Sequence, residues 1–208
     1  MNRIIAVSLI AVAALVSSAG VSAALVDVAE IEPNNALPGA QALAPLLAGQ
    51  TGYRVSGSRI APVGAVANDS ADYYAFNAPA GASLNLEVLI TSSTPPSDRD
   101  SLLYLYGAGG NVLVFDDNSG VDFGSRISAF PLAGGLYFVG VSGFGDPGDL
   151  DNGGNGVLTG VGGDANFAYL LTIDIAPQVI PLPGSAALFV LGASMLAGLR
   201  KRRPAAGV

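Results

Sequence analysis

Apolar and polar residues alternate through most of the chain. In residues 82–91, Leu84, Leu86, Val88 and Ile90 fall on one side and Ser83, Asn85 and Glu87 on the other. That is the two-residue period of a half-buried strand. Residues 136–142 and 167–175 alternate likewise, and 72–77 and 52–60 make two weaker strands. Residues 101–106 and 111–115 are joined by Gly107-Ala108-Gly109-Gly110, a hairpin turn in which glycine supplies positive φ. No segment between 24 and 176 has a helical period, apart from a turn at 38–48. Seven or eight short strands divided by Gly, Pro, Asp and Asn predict an all-β domain, an antiparallel β-sandwich over 24–176. A chain of this size buries enough surface for one core without disulfides.

The two ends break the pattern. Residues 1–23 place Arg3 before an apolar run from Ile4 to Val16, then small residues ending in Val21-Ser22-Ala23. This is the plan of a secretory signal peptide, and it predicts cleavage by signal peptidase between Ala23 and Ala24. The other end, 177–208, runs through Pro181-Leu182-Pro183-Gly184 into an apolar stretch, 184–199, and then Arg200-Lys201-Arg202-Arg203. Those 16 apolar residues are just short of the roughly 17–25 that span a bilayer as a helix. The basic cluster would stay on the cytoplasmic side. An ordinary one-pass anchor is one reading of this tail.

Composition narrows the chemistry. The 208 residues include no His, no Cys and no Trp, and the one Lys is Lys201. Imidazole and thiolate chemistry, disulfides and Schiff bases are therefore excluded from the body. All 16 acidic residues lie between Asp27 and Asp174, against four arginines in the body (Arg54, Arg59, Arg99 and Arg126). So acidic a body repels phosphate backbones, which argues against nucleic-acid binding, and attracts divalent cations.

The tail resembles the PEP-CTERM sorting signal of Gram-negative bacteria in its Val-Pro-Leu-Pro form: a proline motif, a short apolar helix and a terminal basic cluster, in that order. Ile180, inserted after Val179, departs from the pattern by one residue. The resemblance implies an exosortase-like membrane enzyme that cuts near Pro181–Gly184. It also implies transient anchoring in the inner membrane, then delivery to the cell surface or an exopolysaccharide matrix.

The body resembles a second family. Glu30-Ile31-Glu32-Pro33-Asn34-Asn35, then Asn68-Asp69-Ser70-Ala71-Asp72-Tyr73-Tyr74-Ala75-Phe76 and Pro79-Ala80-Gly81-Ala82 follow in order. Asp100-Ser101-Leu102-Leu103-Tyr104, Asp116-Asp117-Asn118 and Ala133-Gly134-Gly135-Leu136-Tyr137 complete the series. The succession, over 30–174, is similar to the bacterial pre-peptidase C-terminal domain. That likeness implies a jelly-roll-like sandwich and an exported accessory module, with calcium binding and no catalysis. No peptidase precedes it here, and a Gly/Asp-rich loop (143–166) interrupts the last hairpin.

The acids are the candidate ligands. A Ca²⁺ site needs six to eight oxygens. Asp98 and Asp100 precede one hairpin strand while Asp116 and Asp117 follow its partner, so antiparallel pairing brings the four to one end of the sheet. Asp69, Asp72, Asn118 and Asp122 also sit at strand ends. The alternative is that these residues are turn formers bonding their own backbone. In the loop, Asp149-Leu150-Asp151 begins like an EF-hand, but Gly160 stands where the twelfth-position Glu is required. Gly153-Gly154-Asn155-Gly156 begins like a β-roll repeat that nothing repeats. A flexible surface loop is the expectation there. Tyr53, Tyr73, Tyr74, Tyr104, Tyr106, Tyr137 and Tyr169 are expected to pack the sandwich with hydroxyls at its rim. Extracellular polysaccharide is a candidate partner. The leading expectation is a non-enzymatic exported protein with no catalytic residue. The alternatives are a carbohydrate-active hydrolase using an Asp pair and a permanently anchored binding module.

Overall fold

The computed structural model describes residues 24–60, 71–94, 99–160 and 166–177. The predicted signal peptide, the sorting motif, the tail helix, Asp69 and Asp98 lie outside the described residues. Among the described residues no helix is long and apolar enough to cross a membrane.

Ten strands are described: β1 (Ala24–Ala29), β2 (Gln41–Ala42), β3 (Gln50–Arg59), β4 (Asp72–Ala78), β5 (Ser83–Thr94), β6 (Ser101–Gly107), β7 (Val112–Asp116), β8 (Arg126–Pro131), β9 (Gly135–Gly143) and β10 (Asn166–Ala176). They form two five-stranded sheets, β1-β3-β10-β5-β8 and β2-β4-β9-β6-β7. This is the all-β sandwich that the alternation predicted, with one correction: both sheets are mixed. β1 runs parallel to β3, and β2 parallel to β4. Parallel neighbours need a long crossover. The chain supplies it by leaving β1, adding β2 to the opposite sheet, and returning to β3 twenty residues later. Alternation reports which face is buried but not strand direction, so the pattern could not reveal this. β1, β2 and β8 carried too few periodic residues to be recognised as strands.

Burial follows the period. Along β10, Phe167, Tyr169, Leu171, Ile173 and Ile175 point inward, and along β5 Leu84, Leu86, Val88 and Ile90 do so. They meet Tyr74, Phe76, Leu103, Leu105, Val139 and Val141 from the other sheet. β6 is buried on both faces, which explains its nearly unbroken apolar run. Its outward residues Leu102, Tyr104 and Tyr106 join Ala71, Tyr73 and Leu158 in a second cluster.

That second cluster corrects the expectation of a flexible loop. Residues 144–160 lie over the outer face of the second sheet, with Leu158 buried and Leu150 packed against the cluster. The acids in this segment fold it. Asp146, 2% exposed, accepts hydrogen bonds from the Ser142 hydroxyl (2.7 Å) and from the backbone amides of Gly148 (2.8 Å), Thr159 (3.0 Å) and Gly160 (2.6 Å). Asp149 accepts from the Asp151 amide (3.1 Å), the Asn152 side chain (2.6 Å) and the Tyr104 hydroxyl (3.3 Å). Arg59, fully buried, donates to the Gly160 carbonyl at 3.1 Å.

Candidate metal centre

The strongest gathering of oxygen ligands is at the opening of the domain. Glu30 follows β1 directly, and its amide extends the ladder to Ser56 O at 3.0 Å. The chain then crosses to the other sheet through Ile31–Asn34. Gln41 brackets this crossing, accepting from the Ile31 amide (2.8 Å) and donating to the Ala29 carbonyl (3.0 Å). The Asn34 carbonyl accepts from the Tyr73 amide at 3.0 Å, which seats the turn beside Asp72, the first residue of β4. Glu30, Glu32 and Asp72 thereby each offer a carboxylate oxygen, all within 4.8 Å of one another.

Three like charges so close repel unless a cation or protons intervene. Asn34 lies beside them: its fully buried side chain donates from Nδ2 to Glu30 Oε1 at 3.4 Å, and its Oδ1 takes no hydrogen bond. An unsatisfied buried carbonyl costs about 1–3 kcal/mol, a cost that coordination would remove.

Two core tyrosines support the acids. The Tyr74 hydroxyl lies 2.6 Å from Glu30 Oε1, the Tyr169 hydroxyl 2.6 Å from Asp72 Oδ2, and the two hydroxyl oxygens are 2.7 Å apart. Burial pushes both phenols well above the usual range, and the neighbouring carboxylates Asp72 and Glu30 add to it. Both are therefore protonated donors at any physiological pH. Three contacts of 2.6–2.7 Å link four oxygens, and the two phenols bring two protons. Carboxylates with an amide carbonyl form the hard-oxygen set that suits Ca²⁺. The Ser58 amide holds Glu30 Oε2 at 2.8 Å, and the Asn34 amide holds Glu32 Oε2 at 3.0 Å.

The aspartates singled out in the sequence divide. Asp100 and Asp117 come near enough for each to raise or lower the other's titration, as strand pairing predicted, and the Oδ1 of each is buried without a hydrogen bond. Burial pushes Asp117 from 3.8 to about 6, helped by the charges of Asp100 and Asp149. Burial raises Asp100 as well. Asp116 does not join them. Its carboxylate turns away to accept the amides of Ser119 (2.9 Å) and Arg126 (2.8 Å), the turn-forming role of Asp. Asp122 lies 3.9 Å from Arg99 on the surface. An apolar cleft of about 740 Å³, lined among others by Pro45, Leu47, Gln50, Asn77, Pro79 and Pro177, has no ionisable residue among its described lining residues.

Glu30, Glu32 and Asn34 were missed as ligands. They stood in the opening motif of the body, but reasoning from strand ends favoured the hairpin aspartates. The usable signal was two Glu and an Asn at alternate positions in a segment without strand or helix period. All seven tyrosines are buried, as expected. Several hydroxyls reach interior partners rather than the rim, such as the Ala44 carbonyl for Tyr53 (2.6 Å) and the Leu158 carbonyl for Tyr73 (2.8 Å), while that of Tyr106 is buried without a hydrogen bond.

No curated protein sequence matches the chain. Among solved structures, it is similar to the pre-peptidase C-terminal domain of a collagenase from Bacillus anthracis, at 16% identity and a TM-score of 0.42 over 65% of this chain and 94% of that one. It is also similar to PliG from Aeromonas hydrophila, a periplasmic inhibitor of g-type lysozyme, at 13% identity and a TM-score of 0.36 over 73% of this chain and 96% of that one. Residues 70–143, from just before β4 to the end of β9, match the family model of the bacterial pre-peptidase C-terminal domain, a narrower span than the 30–174 of the sequence resemblance.

Proposed function

We propose that this chain is a non-catalytic, exported accessory module whose sandwich is stabilised by Ca²⁺ held at Glu30, Glu32, Asn34 and Asp72. One observation carries the reading: three carboxylates converge within 4.8 Å of one another, and the buried Asn34 that bonds one of them keeps a side-chain oxygen without a hydrogen bond. The match of residues 70–143 to a domain family without catalytic machinery agrees with it. The ion would tie the end of β1 to the start of β4, the edge of one sheet to the other. The signal-like residues 1–23 and the tail motif at Pro181–Gly184 supply the route: export, brief retention by the apolar stretch, cleavage by an exosortase-like enzyme, and release to the cell surface or matrix.

The test is thermal melting of the full chain in mild detergent. A ligand at 100 times its dissociation constant stabilises the fold by about 2.7 kcal/mol. Millimolar Ca²⁺ raises the melting temperature, chelator reverses the shift, and Mg²⁺ does less because it demands tighter octahedral geometry. Replacing Glu32→Gln together with Asp72→Asn abolishes the shift. A melting curve indifferent to Ca²⁺ and chelator refutes the site.

A further inference from the structure

The carboxylates of the candidate centre are aimed from the other side of the core. Tyr74 stands on β4 in one sheet and Tyr169 on β10 in the other, 0% and 2% exposed. Their hydroxyls meet between the sheets at 2.7 Å. Each reaches a different acid, and Tyr169 also lies 3.2 Å from Glu30 Oε1. Tyr169 gets there because of what faces it. Its partner in the β3–β10 ladder is Gly57, and a Cβ at that position would lie 2.6 Å from both the ring Cζ and the hydroxyl oxygen of Tyr169. β10 also shifts register against β5 between Ala168 and Tyr169. A glycine inside a strand weakens it unless another group needs the space, and here a phenol ring occupies that space.

We propose that Tyr74 and Tyr169 are the positioning residues of this cation centre, and that Gly57 is the clearance that lets Tyr169 reach Asp72. The inference rests on the cation reading above. Hydroxyl donors behind ligand carboxylates fix which oxygen each presents, and losing such partners typically weakens metal binding about 10–100-fold. Because the phenols belong to opposite sheets, the ion's geometry depends on how the sheets pack.

The experiment titrates the full chain in mild detergent with Ca²⁺, with Mg²⁺, and with Tb³⁺, whose luminescence is excited through nearby tyrosines. Tyr169→Phe and Gly57→Ala should each weaken Ca²⁺ binding about 10–100-fold and narrow the preference for Ca²⁺ over Mg²⁺. Melting in chelator separates this from loss of fold. Tyr137→Phe, which removes a hydroxyl bonded to the Ala133 amide, should leave affinity unchanged. Gly57→Ala keeps both phenols, so dimmer Tb³⁺ emission at saturation reports their displacement from the ion. If Tyr169→Phe does not fold, Tyr74→Phe is read in its place. Wild-type chain that binds no Ca²⁺ overturns the centre and this inference with it. Wild type that binds while Tyr→Phe and Gly57→Ala variants bind equally well overturns the positioning role alone.

Discussion

Asp117→Asn tests the electrostatics of the hairpin end most directly. In the native fold Asp117 and Asp100 face each other, partly buried, with Asp149 near enough to add charge. Burial and those charges move Asp117 from 3.8 to about 6. The native state therefore prefers this carboxyl protonated, and the unfolded chain does not. Its contribution to stability is complete below the unfolded value near 4 and is lost as pH rises through about 6. A shift of about two units corresponds to ~3 kcal/mol at full strength, and solvent screening of a part-exposed carboxyl cuts this to about 1 kcal/mol. For a body of this size that is about 2–4 °C in melting temperature. Asparagine keeps the shape without the charge. Melting of wild type and Asp117→Asn in chelator from pH 4 to 8 should give coincident temperatures near pH 4. The variant should pull ahead by those few degrees above pH 6. Parallel curves across the range, or a variant that loses ground as pH rises, would refute the account of a carboxyl raised by burial and its acidic neighbours.

Other consequences are as direct. Leu158→Ala empties the pocket between the 144–160 segment and the tyrosines of β4 and β6, and should cost about 2–4 kcal/mol in denaturant unfolding. Asp146→Ala strips the acceptor from three amides and two hydroxyls, so limited proteolysis should cut within 144–160 at a protease level that leaves wild type intact; Asp146→Asn should be cut less. Mass spectrometry of the exported protein should find a start near Ala24 and an end near Pro181–Gly184. Pro181→Ala with Pro183→Ala should lengthen the tail helix and leave uncut chain in the inner membrane. A terminus at Val208 would make the tail an ordinary anchor.

The fold class was legible because a sandwich strand must alternate to bury one face, and β10 does so along its whole length and β5 as far as Ile90. The meeting of Asp100 and Asp117 was legible too, since a hairpin makes it a matter of local register. Strand direction at the sheet edges was not, because alternation is the same read either way. Nor was the role of the 144–160 acids: Asp146 and Asp149 resemble cation ligands by spacing, and only folding shows their oxygens filled by amides and hydroxyls. The candidate centre lay further still from sequence logic. Glu30 and Asp72 are 42 residues apart, one just after β1 and the other opening β4 in the opposite sheet, and they converge because the chain crosses between sheets at Glu30–Asn34 and Tyr169 arrives from β10. The sequence by itself determined the periodicity, the acidic balance and the segregated ends, all properties of neighbouring residues. Which carboxylates share a site was decided by sheet packing, a property of pairs that no local pattern encodes.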